Sequence, residues 1–394
     1  MSGERPLLVA YRALGLGDFL TGVPALRALA RAFPGHRRVL AAPLAVAPLA
    51  ALTGAVDEVV ATAALAPLPD ALHGADVAVN LHGRGPQSHR VLLASRPRRL
   101  VAFAHAAAWP DGPPWRPHEH EVARWCRLLE AAGIAADPRA LELPAPARRP
   151  PPGAVGATVV HPGAASGARR WPAERWAAVA RAERAAGRRV VVTGGPDERA
   201  LAQAVAAGAG LAADAVLAGS TDLEGLAATV AAAGRVVCGD TGVAHLAVAL
   251  RTPSVVLYGP TPPAEWGPPA DRPWHRALWT GRRGDPHGRE PDRGLLAIEP
   301  RDVLAALGDV PCAGRPRFPA PRGGQPSEME SPEERPQEGQ SGYPEEQPAG
   351  VADEPQERSE DAPQRKGGES ERRHPASGNE DEGTATGNPN AAGA

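Results

Sequence analysis

The chain has 394 residues, with 44 Gly, 45 Pro, three Cys and a formal net charge of −2. Cys126, Cys238 and Cys312 are too few and too scattered for a disulfide scaffold, and no CxxC or Cys/His cluster suggests structural zinc, so the sequence reads as a reduced cytoplasmic protein. From Arg315 onward there are 17 acidic and 9 basic residues and no Leu or Ile, a composition that predicts a disordered acidic tail over 315–394. Residues 1–314 carry a net +6 and contain no Lys, so cationic chemistry there falls to Arg or to helix termini.

The opening MSGERPLLVAYRALGLGD has no long apolar stretch before a cleavage site, and no signal peptide is expected. Leu7 to Tyr11 predicts a buried strand. A helix follows GLGD (Gly15 to Asp18) and runs through Phe33, with Leu20, Val23, Leu26 and Leu29 at helical spacing and Pro24 placed near the first turn. Arg38 to Ala42, Val56 to Val60, Asp76 to Leu81 and Leu100 to Phe103 read as further strands, and His120 to Ala132 as a helix. The apolar run Ala41 to Val56 is broken by Pro43 and Pro48 and is a poor membrane span.

Residues 134–153 form a Pro-rich linker, stiff and extended. Beyond it the alternation resumes: strand Thr158 to His161, helix Glu174 to Ala186, strand Arg189 to Thr193, helix Asp197 to Ala206, helix Leu223 to Ala232, strand Val236 to Cys238, helix Gly242 to Leu250 and strand Ser254 to Tyr258. A closing helix starts near Leu304. Strands alternating with helices imply parallel sheets, here an α/β protein of two Rossmann-like domains, 1–133 and 154–314, facing across a cleft.

Five segments carry candidate chemistry. In VVCGDTGVAHLAVAL (Val236 to Leu250) a strand ends at Gly239 and a helix starts at Asp240 to Gly242. Free amides and the helix dipole there favour a diphosphate, whereas Asp240 or Thr241 could equally serve as a cap. His245, on the first turn, faces either the cleft or the core. In HPGAASGARRWPAERW (His161 to Trp176), Arg169 either clamps a phosphate or decorates a solvated loop, and Trp171 and Trp176 read as core. In VVVTGGPDERALA, Glu198 either accepts from ribose hydroxyls or complements the helix dipole. After the first strand, GLGD is not GxGxxG, because Leu20 occupies the third glycine position, which argues against a dinucleotide fold. Asp18 there is either an N-cap or a general base. NLHGRGPQSHR (Asn80 to Arg90) reads as a polar loop with His82, Arg84 and Gln87 at a cleft edge.

The order GLGDFLTGVPALRAL, HPGAASGARRWPAERWAAV, VVTGGPDERALA, GDTGVAHLAVALRTPSVVLYGPTPPAEWGP resembles glycosyltransferase family nine, the ADP-heptose:lipopolysaccharide heptosyltransferases, over roughly residues 5–310. The last segment is the most diagnostic: Asp240, Thr241, Gly242, His245, then Tyr258 to Thr261. The resemblance implies a GT-B fold with the donor in the second domain and the acceptor in the first. It implies that Asp18 is the catalytic base, and that Arg169 stands where the family usually has a phosphate-contacting Lys. Ser166 falls in the adjoining phosphate loop, Glu198 at the ribose, Thr221 near the base, and Asp240, Thr241, Gly242 and His245 around the diphosphate and sugar. His82, Arg84 and Gln87 are the acceptor-side candidates.

The expected activity is inverting transfer of a sugar, heptose by resemblance, from a nucleotide-diphospho-sugar to a glycan or lipopolysaccharide-core-like acceptor. No metal or other cofactor is expected, no Asp-x-Asp motif being visible, and no nucleic-acid partner, because no basic stripe is present. Peripheral membrane contact remains open for a lipid-linked acceptor. Two alternatives stand beside this reading: a nucleotide-sugar 2-epimerase of the same architecture, and a non-catalytic nucleotide-sugar-binding protein.

Overall fold

The contiguous apolar runs become strands buried on both faces, as parallel sheets require. The computed structural model describes residues 5–310; the acidic tail expected to be disordered lies outside the described residues. In the first half the order is β1 (Leu7–Tyr11), α1 (Leu16–Ala32), β2 (Arg37–Ala42), α2 (Ala47–Leu52), β3 (Glu58–Ala61), β4 (Val77–Asn80), α3 (Gln87–Ala94), β5 (Arg99–Val101) and α4 (Glu121–Ala131). The second half has β6 (Thr158–His161), α5 (Ala173–Ala185), β7 (Val190–Val192), α6 (Arg199–Ala209), α7 (Leu223–Ala232), β8 (Arg235–Gly239) and α8 (Gly242–Ala249). It closes with β9 (Ser254–Leu257), α9 (Pro263–Trp266), β10 (His275–Leu278), α10 (Arg293–Leu296) and α11 (Pro300–Asp309).

Each half is one five-stranded sheet, ordered β3-β2-β1-β4-β5 and β10-β9-β8-β6-β7. Every strand pair is parallel. The order reverses between β1 and β4 in the first sheet, and between β6 and β8 in the second. Ligands on open parallel sheets bind beyond the carboxyl ends of strands at such reversals. The segments that matter are therefore those following Tyr11, Asn80, His161 and Gly239.

Several elements depart from the sequence reading. Pro24 lies in the middle of α1, not in its first turn, so it removes one interior helix hydrogen bond. The segment read as a loop up to Arg90 is helical from Gln87. Residues 196–198 form a 3-10 turn, and the α-helix begins at Arg199. Strand β10 was not foreseen. Trp171 and Trp176 are core as expected, edge to face at 4.8 Å, and the Trp171 indole donates to the Ile298 carbonyl at 3.1 Å.

The Pro-rich connection is not a free tether. Leu141 and Leu143 are buried, and the Leu143 amide donates to the Ala249 carbonyl at 2.8 Å. Arg27 of α1 donates to the carbonyls of Ala140 and Glu142 at 2.8 and 2.7 Å. One apolar cluster runs through both halves. It joins Leu16, Phe19, Leu20 and Val23 of α1 to Leu226 and Val230 of α7 and Val243 and Leu246 of α8. No helix among the described residues is long and apolar enough to cross a membrane.

At the amino end of the second sheet, away from the reversal-point loops, the buried Arg235 guanidinium joins three elements. Its Nε donates to Glu183 Oε2 of α5 at 3.0 Å and to Thr158 Oγ1 of β6 at 3.3 Å. Its Nη1 donates to the Leu307 carbonyl of α11 at 2.7 Å. Thr158 Oγ1 donates in turn to Glu183 Oε2 at 2.7 Å.

Candidate functional site

The site is built from two helix starts that face each other. Gly15 caps α1 in an extended conformation and has no side chain to satisfy the first turn. Asp18 is thus the third residue of the helix, not its N-cap. Its carboxylate lies in the positive field of the helix end, fully buried. The Arg12 guanidinium, just past β1, reaches Asp18 Oδ1 at 3.3 Å.

In the second half, Thr241 is the N-cap residue of α8 but makes no side-chain capping bond. Its buried Oγ1 has no hydrogen-bond partner. Capping therefore does not account for Thr241. Asp240 is buried beside it. Burial pushes the Asp240 carboxyl up to about 6, with Arg169 pulling it down and Glu265 pushing it further up.

Asp240 supplies a measurable consequence for stability. An unfolded aspartate titrates near 3.8, so below about pH 4 both states hold the proton and the group has no effect on folding. As pH rises from about 4 to 6 the unfolded chain loses its proton first, and stability falls. Above about 6 the loss is constant, at about 3 kcal/mol for a shift of this size. Asp240→Asn removes it. The variant melts with the wild type near pH 4 and about 5 °C higher at pH 7; melting curves across that range check the divergence.

Arg169, largely buried, donates from Nη1 to the Asp240 carbonyl at 3.0 Å and from Nε to Ser166 Oγ at 3.3 Å. Ser166, Arg169 and Asp240 are thus brought together, joining the loop after β6 to the loop after β8. Glu198 folds back toward the end of β6. Its Oε2 accepts from the Gly195 amide at 2.9 Å and lies 3.9 Å from His161 Nε2. A Cβ on Gly163 would fall 1.8 Å from Glu198 Oε1, so a larger residue there would push the Glu198 carboxylate out of this position. The Gly219 amide donates to the Gly194 carbonyl at 3.0 Å, which sets the loop carrying Thr221 beside the loop carrying Glu198.

The two halves meet through small residues. A Cβ on Gly242 would lie 2.9 Å from Leu16 Cβ, and one on Gly17 would lie 3.1 Å from His245 Cδ2. The His245 ring is held between Gly17 and Trp266, edge to face with the indole at 5.8 Å, and burial drives its pKa down to about 3. It is a neutral group between the halves at pH 7.

The acceptor-side candidates diverge. His82 is buried and stacked on Tyr11 at 4.6 Å. Burial, and then the Arg12 charge, lowers its pKa to about 3. Arg84 is half-buried, and Gln87 is exposed at the start of α3.

Sequence reasoning passed over Arg12, Glu121, His118, Glu265 and Arg283. The buried Glu265 carboxylate pairs with His118 Nδ1 at 2.8 Å and Arg283 Nη1 at 2.6 Å. His120 Nε2 donates to the Gly267 carbonyl at 3.0 Å. The segment before α4 therefore reaches across to the α9 region. Pairings of this sequence separation leave no local pattern to read.

Residues 112–283 match the family model described as glycosyltransferase family 9 (heptosyltransferase). Over 158 residues the chain is 34% identical to lipopolysaccharide heptosyltransferase 2 of Salmonella typhimurium. That match spans 37% of this chain and 44% of the relative's length. Among solved structures, a glycosyl transferase family 9 protein from Veillonella parvula superposes with a TM-score of 0.61 at 19% identity, covering 78% of this chain and 97% of that one. The E. coli ADP-heptose LPS heptosyltransferase II gives 0.60 at 21% identity, covering 77% and 97%. The shared architecture is the GT-B fold of two Rossmann-like units, as the sequence led us to expect.

Proposed function

We propose that this chain is a family-nine glycosyltransferase that moves heptose from ADP-heptose to a hydroxyl of a glycan or lipopolysaccharide-core-like acceptor, with inversion at the anomeric carbon. The observation that carries the reading is the juxtaposition of the two helix starts. Leu16 and Gly17 at the head of α1 pack against Gly242 and His245 of α8, next in sequence to the buried Asp18 carboxylate, and Arg169 bonds the Asp240 carbonyl at the head of α8. The family match and the relatives, whose names specify heptosyl transfer and an ADP-heptose donor, support this choice of substrate class.

The mechanism follows from charge. The acceptor oxygen attacks the anomeric carbon from the face opposite the diphosphate. As the new C–O bond forms, the bond to the diphosphate oxygen breaks and its electron pair leaves with ADP. Asp18 takes the proton of the attacking hydroxyl. The departing diphosphate gains negative charge, which Arg169 and the α8 amides stabilise, the work otherwise given to a divalent cation. Ser166 orients Arg169; Glu198 and Thr221 are assigned to the nucleoside, and Thr241, Gly242 and His245 to the sugar and diphosphate. Arg84 and Gln87 are the accessible acceptor-side groups, while buried His82 acts behind them. Domains divide near 134–153, and the reaction is cytoplasmic, where nucleotide sugars are made.

Calorimetry with ADP, UDP, GDP and CMP tests the donor. ADP binds in preference to the others, and Arg169→Ala weakens it by about 2 kcal/mol, the size of a lost charge-assisted hydrogen bond. Preference for another nucleotide changes the donor. Absence of any nucleotide binding removes the transferase reading.

A further inference from the structure

The Arg12 side chain lies in a closed network that the reaction scheme above does not use. It is 1% exposed, and so is Glu121 at the start of α4. Nε donates to the Asp18 carbonyl and Nη1 to the Leu81 carbonyl. Nη2 faces three acceptors: Asp18 Oδ1 at 3.3 Å, Thr21 Oγ1 at 3.0 Å and Glu121 Oε1 at 3.2 Å. A guanidinium terminal nitrogen carries only two hydrogens. Two carboxylates therefore divide one end of one cation.

Glu121 is itself firmly held. Trp125 Nε1 donates to its Oε1 at 2.8 Å, and Arg124 Nε to its Oε2 at 3.0 Å. The Arg12 guanidinium lies over the Trp125 ring at 4.8 Å, and a Cβ on Gly22 would come within 3.1 Å of Arg12 Cδ. Arg12 pairs with Asp18 and Glu121, Glu121 pairs with Arg124, and His82 after β4 and His245 of α8 both feel the Arg12 charge, His245 that of His120 as well. Burial keeps His82 and His245 neutral at pH 7. The ion pairs named here set two arginines, Arg12 and Arg124, against two carboxylates, Asp18 and Glu121.

Resting on the reading of Asp18 as the base, we propose that Arg12 and Glu121 are positioning residues that set how readily Asp18 takes and gives up a proton. Arg12 holds the carboxylate in place and favours its ionised form. Glu121 draws part of that charge away and remains as counter-ion when Asp18 accepts the acceptor's proton. Without Glu121 the protonated state would leave Arg12 buried beside no anion of its own, which low-dielectric surroundings penalise.

The two residues act with opposite sign, which a merely structural role would not produce. The test is the titration of the Asp18 carboxyl carbon by NMR, on the full chain labelled with 13C at aspartate Cγ and assigned with Asp18→Asn. Glu121→Gln, which can still accept from Trp125, lowers the Asp18 midpoint, and Arg12→Gln raises it, each by about one pH unit or more. A midpoint that does not rise in Arg12→Gln, or does not fall in Glu121→Gln, overturns the proposal. If Arg12→Gln does not fold, Glu121→Gln decides alone: a fall supports the proposal and no fall overturns it. The readout needs no substrate. Sugar transfer retained by Asp18→Asn from ADP-heptose would instead remove Asp18 as the base and leave the titration result standing.

Discussion

Asp18→Asn lowers the rate of sugar transfer by about 10²–10⁴-fold and leaves ADP affinity unchanged, as expected when a positioned general base becomes its uncharged isostere. The carboxylate is buried at the head of α1, and Asn keeps its volume and an acceptor oxygen toward Arg12. The Ser166, Arg169 and Asp240 contacts on the other half are not touched by the change. Transfer rate and ADP binding measured on the same preparation separate the two effects. Wild-type turnover would exclude Asp18 as the base, and lost ADP binding would show that the change reaches the donor half.

Glu183→Ala costs about 3–5 kcal/mol of stability, because removing one partner of a buried ion pair leaves the other uncompensated. Arg235 is 3% exposed and relies on Glu183 through two nitrogens. Thr158 loses the acceptor for its hydroxyl as well. The network spans β6, β8, α5 and α11, and lies at the end of the sheet away from the candidate site. Denaturant unfolding therefore shifts strongly while ADP affinity in the folded protein does not. The double variant Glu183→Leu, Arg235→Met recovers most of the loss, since the charge left without a partner is then gone. A small effect of Glu183→Ala would show that water reaches the pair.

What the sequence disclosed follows from where the information sits. The core strands were legible because parallel strands covered on both faces are short unbroken apolar runs, as in TVVH, RVVCG and SVVL. Strand β10 escaped because it is an edge strand, paired among the described residues with β9 alone, and two of its four residues, Arg276 and Ala277, are exposed. Helix α3 escaped because its first turn, QSHR, is polar and follows Pro86. The helix starts at Asp18 and Asp240 were visible as glycine-flanked acids after strands. The long-range pairings near them were not: Glu121 is 109 residues from Arg12, and Glu265 is 147 residues from His118. Neither pair leaves a periodic trace, so only the folded chain reveals them.

The apolar cluster that runs from α1 into α7 and α8 also bears on how the molecule comes apart. Each half also keeps an apolar cluster of its own, and two units sharing no more than a linker would melt in two steps, each with its own enthalpy. Here Leu16, Phe19 and Leu20 lose their packing against Val243 and Leu246 as soon as either sheet unfolds, so exposure in one half is felt at once in the other. Thermal unfolding is then a single cooperative transition, with calorimetric and van't Hoff enthalpies in agreement. The two halves, expressed apart, each present a greasy helix face to water and associate or aggregate in place of folding alone.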